Sequence, residues 1–378
     1  MRLTIANGPH PLVETVLSLP LPEDAEPRGA LLDPAHPRRP LPWQVHEGRL
    51  YFQAPPLAPG KKRTLHFLPD RTYPARYGEA RVEDTGGKLL LTLAGKRFTE
   101  YIYRYRPPQT RPVFYPLLGP REIPVTRAWP LEERPGESQD HPHHRSLFFA
   151  HGDLNGVDFW SEAAGAGTQE HEEFEATWSG RLLAGMRQRL TWRSSTGQPV
   201  VEELRQVQFY NLRGNLRLMD VAVTFRARYG EVRFGDTKEG GIIALRMAET
   251  MKEARGGRIE NAFGGVGEEE CWGKPAPWVD YSGIVSGKRL GVAVFDHRDN
   301  LRHPTRWHVR AYGLFALNPF GLSHYRYGRE ENGDFLLASG EDLAFRFRLL
   351  IHRGDARRGK VREHYLAWAF PPRLTLED

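Results

Sequence analysis

Cysteine is almost absent. Cys271 stands alone among 378 residues, so no disulfide framework holds this fold together. Long apolar runs are missing as well. None approaches the roughly 18 residues that a membrane helix needs. Met1 to Pro9 has no apolar core ahead of a small-residue cleavage site. No signal peptide and no membrane partner are expected, and the cytoplasm is the expected compartment. Neither of the glycine patterns that cradle phosphates follows a strand-like run, and no G-x-S-x-G elbow or helical H-E-x-x-H pair is present. Nucleotide hydrolases, Rossmann dehydrogenases and serine hydrolases fall away. Nothing beside Cys271 in sequence offers a paired base, so it is not expected to be a nucleophile.

What is present is charge, proline and glycine. The net charge is +6 and the pI near 9.4, a balance that invites a nucleic-acid reading. Yet the arginines alternate with apolar residues, as in Phe345-Arg346-Phe347-Arg348. That is the pattern of a strand's solvated face, and no nucleic-acid partner is expected. Thirty prolines and thirty-eight glycines punctuate short apolar runs, which favours strands and turns. Leu343, Phe345, Phe347, Leu349 and Ile351 recur every second residue, so one strand face carries them. Lys88 to Leu93, Val221 to Arg226 and Arg289 to Phe295 also read as strands. One helix is expected, from about Ala356 to Ala369. Residues 1–75 are proline-rich and read as a small β-sandwich with strands at Leu50 to Ala54 and Arg63 to Leu68. Residues 76–378 then form a large antiparallel two-sheet β-sandwich ending in that helix. The fold class is all-β.

The densest chemistry lies between Asp140 and Gly156. His141, His143, His144 and His151 flank the apolar run Leu147-Phe148-Phe149-Ala150, with Arg145 and Asn155 nearby. Imidazoles are the side chains that change charge near neutral pH, so the cluster reads as an active site. If Ser146 to Ala150 is extended, the histidines sit at its two ends, at most roughly 20 Å apart. They reach one small ligand only if the loop folds back, and Pro142 supports such a turn. The bland alternative is a turn closed by its own side chains. A metal reading would draw on His141, His143, His144 and His151, but the glutamate of a cupin-type signature is missing.

A second cluster runs from Phe295 to Arg310 and holds His297, His303, His308, Arg306 and Trp307. Aromatic rings stack on sugar faces, and charged groups hold hydroxyls. Its bland alternative is a solvated hairpin loop. Phe234 to Gly241 places Asp236, Lys238 and Glu239 in a glycine-bounded turn. Pro277 to Gly283 puts an aromatic pair beside Asp280, a second weak candidate to join the site; a plain turn is the favoured reading of both segments, and Gly264 to Glu270 reads as a flexible acidic loop.

Four ordered motifs carry a resemblance. They are Asp140 to Arg145 with His151 to Trp160, then Gly235 to Gly240, then Arg302 to Arg310, then Tyr312 to Gly321. Together they resemble a bacterial domain family of unknown function labelled methane oxygenase PmoA-like, over roughly residues 80–370. That resemblance implies a carbohydrate setting, because the family's members accompany sugar oxidoreductases and glycoside-processing enzymes. At the level of fold alone, the all-β size and histidine-rich strand ends are similar to the galactose-mutarotase superfamily, whose large sandwiches place a histidine acid and a carboxylate base across an open groove.

The expectation is a carbohydrate-processing enzyme of epimerase, lyase or hydrolase type that moves protons at a sugar or sugar acid. His144 and His151 are the expected acid–base pair, with Glu239 assisting. His143, Arg145, Asn155, Asp236, Lys238, Arg306, Trp307 and His308 are the expected substrate contacts. No cofactor or metal is assigned, and homo-oligomerisation is left open. The alternatives are a carbohydrate-binding protein without catalysis and a metal-dependent oxygenase or isomerase.

Overall fold

The computed structural model describes residues 1–72, 74, 77–212, 216–325 and 331–377. The boundary expected between residues 75 and 76 lies outside them. Strand makes up 47% of the structure and helix 7%, far from the helix share of about one third in an average domain.

Alternation builds the two large sheets. In strand Asp342–Arg353, Phe345, Phe347, Leu349 and Ile351 face the inter-sheet core, while Arg346 and Arg348 turn to the other side. Opposite Arg348 in register stands Asp220, and the two join in an ion pair of 2.5 Å. One eight-stranded sheet runs through Trp307–Val309, Leu314–Leu317, Gly240–Arg246, Leu147–His151, Val113–Phe114, Lys96–Ile102, Lys88–Leu93 and Ala80–Asp84. The other runs through Thr168–Trp178, Leu183–Arg193, Pro199–Tyr210, Arg217–Arg226, Asp342–Arg353, Lys288–Asp296, Trp278–Val285 and Arg258–Asn261. Their facing sides enclose one apolar core, and neighbouring strands pair antiparallel.

That core holds an ion pair. Glu203 and Arg205 sit on the inward face of strand Pro199–Tyr210, both fully buried and 2.6 Å apart. Trp192 donates to the Glu203 carboxylate, and Arg205 donates to the Tyr101 hydroxyl. The Arg205 guanidinium lies 4.1 Å from the Phe149 ring. Gln169 donates to the Phe149 carbonyl at 2.7 Å. The network therefore braces strand Leu147–His151 from behind.

Two small sheets lie at the amino-terminal end. Arg2–Ala6, Lys62–Leu68 and Ala30–Leu32 form one, and Thr15–Pro20, Arg49–Ala54 and Trp43–His46 form the other. They enclose Leu3, Ile5, Leu17, Phe52, Leu65 and Phe67. The first is completed by Arg373–Glu377, which returns from the opposite end of the sequence to pair with Arg2–Ala6. The helix is Val361–Ala369, shorter than expected because Lys360 is left-handed at φ 52°. Its Val361, Tyr365 and Ala369 pack with Phe295 and Leu350 on the outer side of the second large sheet.

Two local expectations are corrected. The acidic stretch Gly264 to Glu270 enters a single helical turn, Gly267–Cys271. Pro277 to Gly283 lies mostly in strand Trp278–Val285, where buried Asp280 bonds His352 at 2.7 Å. Among the described residues no helix is long and apolar enough to cross a membrane.

Candidate functional site

The site lies on the outer face of the first large sheet. Leu147 and Phe149 point into the inter-sheet core, so Phe148 and Ala150 point outward. Cross-strand register continues Phe148 through Ala244 and Ala316 to His308. Alanines at the middle of this row keep its floor low. The indole of Trp160 packs there, 5.5 Å from the Phe148 ring. His144 lies 5.4 Å from that indole on one side and His308 lies 6.5 Å from it on another. Tyr312, His141 and His144 stack nearly parallel, with His141 5.0 Å from Tyr312 and 4.8 Å from His144. Trp272 and Tyr325 flank His308.

Buried guanidiniums shape the histidine loop. Arg127 donates to the carbonyls of His141 and His144 and to the Asp140 carboxylate. Arg111 donates to the carbonyls of Trp160 and His143 at 2.6 and 3.3 Å. Arg246 bonds Asp140 at 2.5 Å and Nδ1 of His144 at 3.2 Å. Arg145 grips Glu162 with two bonds of 2.6 and 2.7 Å. The loop can therefore hold His141 and Ser146 at the left-handed φ values of 46° and 52°, a strain that needs such over-determination.

These contacts set proton positions. A guanidinium only donates, so Nδ1 of His144 is the acceptor and the proton of the neutral ring sits on Nε2. The Trp272 N–H likewise donates to Nδ1 of His308 at 3.3 Å. Burial pushes the His144 pKa well below its ordinary value, and the His143 ring and Arg246 add to the effect. Burial takes His308 down to about 3, and His143 down to about 4 with help from Arg111. Burial alone would raise the Asp140 carboxyl, but Arg246 and Arg127 hold it well below the carboxylate range. The site thus presents neutral imidazole N–H donors at pH 7.

The expected residues separate into groups. His143, His144 and His308 meet around Trp160. Glu239 stands on the rim, half-exposed, and its charge acts on Tyr312 and Tyr325. Lys238 lies beside it at 3.5 Å. Arg145 props the loop through Glu162. His151 does not join His144: it follows Ala150, so it faces the other way. It is buried against Phe320 and Phe234, with Nε2 3.0 Å from the Gly235 carbonyl. Trp307 also faces the inter-sheet core and donates to the Ala276 carbonyl. Asn155, left-handed at φ 51°, ties its turn to Glu231 and Arg233. Asp236 caps the backbone of Ser323 and Gly333. Arg306 bonds the Gly273 carbonyl and Glu331. The other histidines of the second cluster fold away, His303 onto Asp296 at 2.8 Å and His297 against Trp368.

Sequence reasoning did not single out Arg111, Arg127, Arg246, Trp160, Glu162 or Tyr312. Trp160 and Tyr312 lie inside the quoted motifs, and Arg246 ends an apolar strand, where a buried cation is out of place. The metal reading meets a geometric obstacle. The His141 and His144 rings are stacked within 8° of parallel. A metal lies close to the plane of each imidazole that binds it, and separated parallel planes share no such point. Among the described residues no group of three or more His, Cys, Asp or Glu side chains is arranged to hold a metal ion.

The model of a family of unknown function, DUF6807, matches residues 88–366. The oxygenase-like label suggested by the motifs is not part of that description. No curated protein matches the chain. Among solved structures, an α-mannosidase from Enterococcus faecalis is 10% identical with a TM-score of 0.45, over 100% of this chain and 46% of that one. An α-galactosidase from Geobacillus stearothermophilus, in complex with raffinose, is 9% identical with a TM-score of 0.32, over 71% of this chain and 41% of that one. The chain spans less than half the length of either. Likeness this distant says nothing about substrate.

Proposed function

The chain belongs to that family of unknown function, and from the site alone we propose a carbohydrate-processing enzyme whose substrate lies on the outer face around Trp160. One observation carries the reading: His144 and His308, far apart in sequence, pack on the same indole, with Tyr312 and Trp272 alongside. Aromatic rings offer apolar faces to the C–H sides of a sugar ring, and fixed N–H groups hold its oxygens.

The roles follow from the proton positions. His144 and His308 act as neutral donors that polarise a sugar oxygen, because their Nδ1 atoms are already occupied. Glu239 is the carboxylate placed at the rim to take or return a proton. His143 and Lys238 complete the rim. His151 braces the strand from the core side.

A second reading is sugar binding without turnover. It is favoured by the same locking of the two histidines as donors, which leaves the proton work to Glu239. Incubation with a panel of aldoses and uronic acids, followed for both binding and product, tests the two. Turnover abolished by Glu239→Gln supports the enzyme. Binding without product supports the second reading, and no binding to any sugar defeats both.

A further inference from the structure

Two buried donors at the site have nothing to donate to. His144 Nε2 and Trp160 Nε1 meet no solvent and find no hydrogen-bond partner among the described residues. The two residues are 1% and 3% exposed and their rings lie 5.4 Å apart. A buried N–H left unmatched is destabilising, and native proteins keep such groups chiefly where function needs them.

Behind these donors the carboxylates are already taken up by guanidiniums and backbone N–H groups. The Asp140 carboxylate is shared by Arg127 and Arg246. The Glu162 carboxylate is shared by Arg145 and, at 3.8 Å, by Arg111. Asp158 adds one more negative charge, but it is engaged by the backbone of Trp160 and Ser161. Glu137, which accepts from the backbone of Ala128 and Trp129, acts on Arg127 as well, so four guanidiniums meet four carboxylates that are already engaged. The rim pairs Lys238–Glu239 and Arg310–Glu268 cancel. Burial holds Arg111 and Arg127 down to about 10, with the neighbouring Arg145 and Arg246 acting in the same direction and the carboxylates against it.

Building on the sugar reading of this face, we infer that the ligand is an acidic sugar, a uronic or aldonic acid, whose carboxylate accepts from His144 Nε2 and Trp160 Nε1. A carboxylate only accepts, so it satisfies both donors and leaves no O–H of its own unmatched. A neutral hydroxyl would bring a buried donor to a place already rich in donors. Because the two atoms are covered, the ligand reaches them when the rim rings part. His141, exposed and stacked on His144, is the ring positioned to turn aside.

The test is calorimetric titration of the full chain with paired probes: D-glucuronate and D-glucose, D-galacturonate and D-galactose, D-gluconate and D-glucitol. At least one acid is expected to bind ~10-fold or more tightly than its neutral partner. Trp160→Phe keeps an aromatic ring and removes the N–H. It should weaken the acid ~10-fold and the neutral sugar little, with an unchanged circular dichroism spectrum. Equal affinity within every pair overturns the inference and leaves the sugar reading standing. Equal weakening of acid and neutral sugar by Trp160→Phe overturns the donor assignment. Acetate binding as tightly as the sugar acids overturns the sugar reading and the inference with it. So does binding to none of the probes.

Discussion

Arg246 donates to Nδ1 of His144 at 3.2 Å, and this bond decides what that histidine can do. Burial keeps the ring neutral, and with Nδ1 occupied by a permanent cation it carries its proton on Nε2. Nitrogen NMR on ring-labelled protein should show the Nε2–H tautomer unchanged from pH 8 to pH 5.5. Arg246→Met should free Nδ1 and let the tautomer change, while burial still keeps the ring neutral over this range. A wild-type His144 that gains charge near pH 6.5 would contradict the assignment.

The buried histidines make acid the weak side of stability. Burial holds His151 down to about 4 and His308 and His364 down to about 3, with His144 well below its ordinary value. Unfolded histidines take up protons near pH 6.5, while these folded ones stay neutral, so the unfolded state binds more protons as pH falls below that point. Stability should be flat above about pH 6.5 and fall toward pH 4, by about 1.4 kcal/mol per pH unit for each such histidine. His352, raised by Asp280 against the effect of burial, opposes one of them. Urea midpoints between pH 8 and pH 4 measure the slope, and a stability that rises on acidification would refute it.

His144 and His151 should separate cleanly on substitution. His151→Phe loses the bond to the Gly235 carbonyl and is expected to cost about 1–3 kcal/mol of stability. Because it lies on the opposite face, it should leave ligand affinity within about twofold. His144→Phe should lower affinity by ~10-fold or more. Matched affinity losses in both variants would place both rings in one site and contradict the face assignment.

Glu239→Gln tests the proton transfer. Its side chain is half-exposed, so the fold should hold and the melting temperature should move by no more than a few degrees. Turnover of the true substrate should fall roughly 100- to 10,000-fold, the usual worth of a positioned acid or base. A loss confined to KM would make it a contact instead.

The core ion pair offers a test of the brace. Glu203→Gln strands the Arg205 guanidinium and should cost about 3–5 kcal/mol. Glu203→Leu combined with Arg205→Met removes both charges and should cost less. Equal losses on urea unfolding would show that the charges matter less than the space they fill.

Strands were legible wherever alternation was strong. Lys88–Leu93 and the run from Leu343 to Ile351 emerge where the spacing put them, because apolar residues at every second position have one face to bury. Pro277 to Gly283 misled, since proline and glycine signal turns, whereas here the segment's Trp278, Val279 and Tyr281 are buried in a strand. The closing of the small sheet by Arg373–Glu377 had no local signal, because pairing between the two ends of a chain leaves no short-range pattern.

The sequence by itself determined the all-β class, the alternation of the strands, and which segments carry the histidines, arginines and aromatics. Those properties are local: they depend on residue type and spacing, which a chain carries in any conformation. Only the tertiary structure decided which of these side chains meet. Strand geometry turned His151 toward the core, and cross-strand register carried His308 to the Trp160 indole. Arg246, from a different strand, fixed the His144 proton. A histidine's proton follows its partners in space, and those partners come from distant parts of the chain.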